Sequence, residues 1–437
     1  MGIFALLICV IILAVLVLQK RRWFDPAVII MVYWSILIFC VSLHLFGLQK
    51  VSDWAYIIFI IGLVSFCIGT SCSNLFACKG FSDTKKKYIL DYRFLYVLYI
   101  IVIIFLLYNF KNVLELLSNG YSWAKIRRFY SNQGQNSGYN EVLQSAFNVM
   151  LNQFISTPTV YASIPIAVSD MMIGKKDKKL FVMTVIMMFL WMMTSGGRSI
   201  VIWFAMYFVF AILIVKKHKI EINKKILRII RMALIPLIIV FIYITVERKG
   251  ENLNILKEIY VYFPVGLKNF DYHIQEFISS NNGYLWGVGS FYGFIYPVIF
   301  IIKQFGFIDY PDIILTARYL TFTSLEPNVF IGIDMNAYAT FMYQPYLDGG
   351  IIGVAIILFL FGCMCGYYYN NVTKDVIQMK YLAVYLFLIQ KLMFSQVRFY
   401  FTQTQQAIAL VILLFAFVNV SSFRHRIVFR FGRKERQ

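Results

Sequence analysis

Apolar residues along this chain come in long continuous blocks separated by short polar connections. Blocks of that length match the roughly 20 helical residues needed to cross a ~30 Å hydrocarbon layer. A β-barrel would instead show short alternating segments. The blocks predict spans near 2–18, 26–48, 54–75, 94–110, 147–171, 180–195, 199–215, 229–246, 349–369, 379–396 and 405–421. The expected fold class is therefore an all-α polytopic integral membrane protein of about eleven transmembrane helices.

Polar positions then orient the blocks. Lys20, Arg21 and Arg22 follow the first apolar run instead of preceding it, which argues against a cleaved signal peptide and for an outer N-terminus. Basic residues cluster in alternate connections: around Lys20, from Lys79 to Arg93, Lys175 to Lys179, Lys216 to Arg231, at Lys374 and Lys380, and in the tail from Arg424 to Arg436. Those connections hold about two thirds of the 41 Lys and Arg residues, and the positive-inside rule makes them cytoplasmic.

One apolar stretch breaks the parity. Residues 284–307 are long enough to span, but a crossing there would turn the basic tail outward. Gly287, Gly289, Gly293 and Pro297 also disfavour a straight helix, so the segment reads as re-entrant or interfacial. The expected organisation is a membrane bundle over 1–246, a large outer loop over 247–348, membrane helices over 349–421 and a basic cytoplasmic tail over 422–437.

Composition and charge sharpen this picture. The chain is 60% hydrophobic and 14% charged, against about 25% charged in soluble domains. Of the formal net charge of +20, all but the single charge of Lys391 within a span lies on the cytoplasmic side, while the outer connections are balanced. That distribution is a topology signal resting on anionic lipid, and it excludes nucleic acid as a partner. All seven cysteines fall in spans or on the cytoplasmic side, and none has the spacing of a zinc site.

Candidate chemistry therefore lies among outward polar groups. The turn Ser195, Gly196, Gly197, Arg198 places a guanidinium beside the outward N-terminus of the next span, an arrangement suited to phosphate or pyrophosphate. The alternative is a plain hairpin with a snorkelling arginine. Residues from Trp123 through Lys125, Arg127 and Arg128 to Tyr130 predict an amphipathic helix at headgroup level. It is either an interfacial anchor or an anion-binding face next to Arg198. The long loop adds Arg248, Asp271, His273, Arg318, Glu326, Asp334, Asn336, Tyr338 and Asp348, and the last outer turn adds Arg398. Each alone reads as a solvated residue. Together they offer a proton acceptor and cations for a departing anion, which glycosyl transfer requires.

Two stretches resemble a known family: Ser195 to Arg198, and the run from Asn336 and Tyr338 through Asp348, Gly349 and Gly350 to Gly353, leading into a span. With the layout, they resemble bacterial O-antigen and capsule repeat-unit polymerases of the Wzy type. The resemblance implies a GT-C-like architecture and inverting, cofactor-free and metal-independent transfer between undecaprenyl-pyrophosphate-linked glycans on the outer face of the cytoplasmic membrane. It further implies a chain-length regulator and a flippase as partners.

Arg198, with Arg127, Arg128 or Arg318, would then hold the pyrophosphate. Asp271, His273, Glu326, Asp334 and Asp348 stay open as the base. Met335 stands where related ligases carry a histidine, and the spacing from Asn336 to Gly350 is longer than in that motif; both weigh against a ligase. The arginine-x15-glycine pattern of some polymerases is absent. The rival readings are a transporter or lipid-linked oligosaccharide flippase, a ligase, and a non-enzymatic assembly scaffold. Neither half of the chain repeats the other, and Lys391 is the clearest charge within a span.

Overall fold

A computed structural model describes residues 1–19, 21–77, 87–131, 143, 145–220, 224–249, 255–280, 283–323, 338–374 and 376–419. Apolar blocks become helices, and short polar residues set where they begin. Helix α1 (Gly2–Leu18) is followed by α2 (Pro26–Ser42), where Asp25 caps the start by accepting from the Ala27 N–H at 2.9 Å. Pro26 occupies the first helical position, where its missing N–H costs nothing. Next come α3 (Asp53–Ala77), strand β1 (Tyr88–Leu90) and α4 (Tyr92–Ser118), the last capped by Asp91.

The short helix α5 (Trp123–Ser131) precedes α6 (Ala146–Leu151), a π-turn over Asn152–Ser156, and α7 (Thr157–Ile173). Helix α8 (Lys178–Ser195) is capped by Asp177, which accepts from Lys179 and Leu180 N–H groups. Helices α9 (Ser199–Lys217) and α10 (Lys224–Lys249) close this half of the chain. The remaining helices are α11 (Ile255–Tyr262), α12 (Gly266–Ser279), α13 (Val288–Gln304), α14 (Asp312–Arg318), α15 (Tyr343–Val372), α16 (Met379–Met393) and α17 (Thr404–Phe415). Strand β2 (Phe417–Asn419) pairs antiparallel with β1 in the register Tyr88 with Asn419 and Leu90 with Phe417.

Among the described residues, five helices are long and apolar enough to cross a membrane: residues 53–73 of α3, then α4, α8, α9 and α15. Their neighbours α1, α2, α13, α17 and residues 232–243 of α10 are apolar but shorter. Outer faces of several helices are themselves apolar and exposed: Phe4, Leu7 and Ile11 on α1, Val97, Ile101 and Ile104 on α4, Ile235, Ile239 and Ile242 on α10. Contiguous apolar faces of this kind fit lipid and would be a liability in water. The chain is a mostly helical protein built for a membrane.

Two compact units emerge, and they interleave along the chain. The first comprises 1–79, 253–370 and 388–407; the second comprises 80–252, 371–387 and 408–437. Within the segment 284–307, Val288–Gln304 forms a kinked helix: Phe291 has non-helical torsions, and Pro297 lies inside the helix. Its first half is buried at Gly289, Ser290, Tyr292 and Gly293, whereas Val298 and Ile301 in its second half are exposed. Phe291 and Phe294 pack against Phe399 and Phe401, at 6.4 and 5.6 Å between ring centroids. The expected last span over 405–421 is shorter in the structure. Its helix stops at Phe415, because Ala416 onward is drawn into pairing: the Asp91 N–H donates to the Ala416 carbonyl, and β2 follows.

Candidate functional site

In the second unit, the turn after α8 is tightly built. Gly196 ends the helix in the left-handed region at φ 61°, where a side chain would be strained. The Ser195 hydroxyl donates to the Trp191 carbonyl at 2.6 Å and accepts from the Gly197 N–H at 3.1 Å. Arg198 then starts α9, half-buried, with its guanidinium carbon 5.9 Å from the Phe241 ring centroid. Helix α5 lies against this turn. Trp123, Ile126 and Phe129 are buried with Val113, Leu116 and Leu143, which leaves Lys125 and Arg127 exposed on the other face. A Cβ placed on Gly196 would stand 3.6 Å from the Arg127 Cβ. Arg127 and the Arg198 turn, 71 positions apart in sequence, are thus neighbours. Arg128 and Arg248 have helical backbones in α5 and α10, and their side chains lie outside the described residues.

The first unit holds Asp271, Asp348 and His273, each with different company. Asp271 on α12 is fully buried and committed. It accepts from the Ser52 N–H and hydroxyl, from Lys268 Nζ at 2.9 Å and from Gln275 Nε2 at 2.9 Å. Asp348 is committed as well, accepting from the N–H groups of Gly289 and Ser290 at 2.7 and 2.8 Å. Immediately after it α15 breaks, because Gly350 adopts φ 58° and ψ −140°, torsions open to glycine.

His273 differs from both carboxylates. Its Nδ1 lies 3.1 Å from a Glu276 carboxylate oxygen, three residues on along α12, and its ring packs near Tyr272 and Tyr343. Burial holds the imidazole below its ordinary value, with the Glu276 carboxylate opposing that shift in part. A neutral ring donating from Nδ1 to Glu276 presents Nε2 as a proton acceptor. Glu276 is 56% exposed, so the pair runs from the interior to the surface.

Tyr338 stacks obliquely on Tyr262 at 5.9 Å, and its carbonyl accepts from Asn269. Arg318 is exposed at the end of α14. Glu326, Asp334 and Asn336 lie outside the described residues.

A third arrangement was unreadable from sequence. Lys391 is 3% exposed inside α16, where its ammonium donates to the Oε1 atoms of Gln390 and Gln406 and sits 5.0 Å from the Tyr400 ring centroid. Gln344 Oε1 accepts from the Phe399 N–H at 3.1 Å. With those carbonyls engaged, Gln390 Nε2, Gln406 Nε2, Gln344 Nε2 and Arg398 Nε are buried donors with no partner. Each such donor costs about 1–3 kcal/mol. The region is rich in donors and positive charge, but its cavity of about 10 Å³, lined by Lys391, Arg398, Tyr400 and four phenylalanines, holds about one water and no phosphate.

Arg398 and His273 stand among the sequence candidates, whereas Glu276 and the three glutamines do not. Glu276 had a readable signal, the i,i+3 spacing from His273 on an amphipathic segment. The glutamines had none, since Gln344, Gln390 and Gln406 are brought together by folding alone. The chain matches no family model, no curated protein and no solved structure.

Proposed function

We propose that this chain is a membrane glycosyltransferase that polymerises undecaprenyl-pyrophosphate-linked oligosaccharide repeat units on the outer face of a bacterial cytoplasmic membrane. The observation that carries the reading is the meeting of Arg127 with the Ser195–Arg198 turn at the start of α9. Two arginines beside a helix N-terminus suit a pyrophosphate, whose charge grows as the glycosidic carbon leaves it. His273, oriented by Glu276, is the favoured proton acceptor, because Asp271 and Asp348 spend their oxygens on structural hydrogen bonds. In the transfer, the acceptor hydroxyl gives its proton to a base while its oxygen bonds the anomeric carbon, and the pyrophosphate departs with the bonding electrons. Inversion follows from this single displacement. The architecture that goes with the reading has eleven spans, a GT-C-like layout, an outer N-terminus and a large outer loop over 247–348.

Lys391 favours a second reading, a lipid-linked oligosaccharide flippase, because a cation buried within membrane helices commonly marks a transport path. Glycan profiles of a deletion strain, complemented with wild type or Arg198→Ala, separate the two. Glycans that stop at one repeat unit on the outer face, with long chains restored only by wild type, support the polymerase. Single units retained on the cytoplasmic side establish the flippase, and an unchanged ladder rejects both.

A further inference from the structure

At the other end of α15 from Asp348, the first unit contains a polar cavity that glycosyl transfer leaves unused. It measures about 220 Å³ and lies among Arg21, Arg22, Asp25, Thr70, Ser71 and Asn370. Its walls meet because α3 and α15 approach to backbone contact: a Cβ on Gly362 would stand 2.2 Å from the Phe66 carbonyl oxygen, and one on Gly366 2.7 Å from that of Thr70. Small residues permit such approach between helices in a membrane. The contact carries Thr70 and Ser71 up to the connection between α1 and α2.

Arg21 is oriented within this cavity. Its guanidinium donates to the Ser71 hydroxyl at 2.7 Å, to the Thr70 hydroxyl at 3.4 Å and to Asp25 at 3.3 Å. Asp25 is committed twice, since it also caps α2. One carboxylate therefore balances one of two arginines, and Arg22, exposed at the rim, leaves an excess of positive charge. Beside Arg22, Trp23 is 77% exposed. An exposed tryptophan next to arginine, between two apolar helices, marks the depth of lipid headgroups. The volume is smaller than that of drug-sized pockets and fits a headgroup.

We infer that this cavity binds the phosphodiester headgroup of an anionic phospholipid. Arg22 supplies the net charge. Arg21, held by Thr70, Ser71 and Asp25, supplies directed N–H groups, and its fixed geometry favours a phosphate over a mobile counter-ion. The lipid belongs to the cytoplasmic leaflet, because Lys20, Arg21 and Arg22 form the first of the basic connections. The inference rests on membrane embedding and, for the leaflet, on the positive-inside orientation, and it stands whether or not the chain is a polymerase.

Native mass spectrometry of the full chain in neutral detergent tests it, with dioctanoyl phosphatidylglycerol, dioctanoyl phosphatidylcholine and inorganic phosphate as probes. Wild type is expected to retain one phosphatidylglycerol in preference to phosphatidylcholine. Arg22→Gln and Arg21→Gln should each weaken it roughly fivefold to tenfold. Arg22→Lys, with its charge intact, should keep most of the binding, which separates loss of charge from loss of fold. Equal retention of both lipids, or unchanged affinity in the two glutamine variants, overturns the inference. Displacement of the lipid by millimolar inorganic phosphate overturns the lipid assignment in favour of a free-anion site.

Discussion

The carboxylate of Asp348 accepts the backbone N–H of Gly289 at 2.7 Å, joining residues 59 positions apart. Ser290 donates to the other oxygen, and the N–H groups of Leu285 and Trp286 donate to the Leu347 and Asp348 carbonyls. The start of α13 is therefore capped from α15. Asp348→Ala should destabilise the protein by about 1–3 kcal/mol, because two buried N–H groups lose their acceptor. Asp348→Asn should cost less. Thermal unfolding in detergent measures both, and an unchanged midpoint in the alanine variant would show that this cap does not hold the fold.

Arg198→Ala and Arg127→Ala should each reduce chain extension about a hundredfold while protein level in the membrane holds, the scale expected when one stabilising donor is removed from a developing anion. Arg198→Lys should recover part of the loss, since it keeps the charge without the bidentate fork. Repeat-unit ladders read the result; normal ladders in both alanine variants would refute pyrophosphate binding at this turn.

His273 makes the response to acid specific. Burial lowers its folded value below the unfolded value of about 6.5, so the unfolded chain binds the extra proton first. The contribution to stability is complete above pH 6.5 and is lost as pH falls toward the folded value. Melting temperatures should drop between pH 7 and 5, and His273→Gln should flatten that part of the profile. Chain extension should fail in His273→Gln, whereas Glu276→Gln should slow it and shift its acid limb. Equal ladders in wild type and His273→Gln would remove the imidazole from the chemistry.

Lys391→Met should destabilise the protein by about 1–3 kcal/mol, since the buried Oε1 atoms of Gln390 and Gln406 lose their donor while the packed volume is kept. Lys391→Ala should fold less well. Size-exclusion profiles and glycan ladders of the methionine variant decide its role. A folded, inactive protein makes the ammonium functional, and full activity makes it structural.

Asp312→Cys tests the orientation of the segment that follows α13. Asp312 is exposed at the start of α14, and the outer-loop reading predicts labelling by impermeant thiol reagents in intact cells. Labelling only after permeabilisation would place 284–307 across the membrane and invert every later connection.

Much of this protein was determined by sequence alone, because lipid imposes a constraint that acts locally. A segment must satisfy its own backbone and show apolar side chains outward, so spans near 2–18, 26–48 and 180–195 are readable from composition and length, and helices form at Gly2–Leu18, Pro26–Ser42 and Lys178–Ser195. Caps at Asp25, Asp91 and Asp177 act within three residues, so they too are local to the sequence that forms them. The turn Ser195–Arg198 was visible for the same reason.

Only tertiary structure decided which polar groups are spent and which are available. Asp271, His273 and Asp348 look alike in sequence. They part company because Ser52 reaches Asp271 from 219 positions away, Gly289 reaches Asp348 from 59, and Glu276 alone stands beside His273 Nδ1. The meeting of Arg127 with Gly196, and of Lys391 with Gln406, likewise depends on packing between distant helices. Hydropathy sets where a helix crosses, but a buried hydrogen bond requires two groups within about 3 Å, and chain distance carries no record of that.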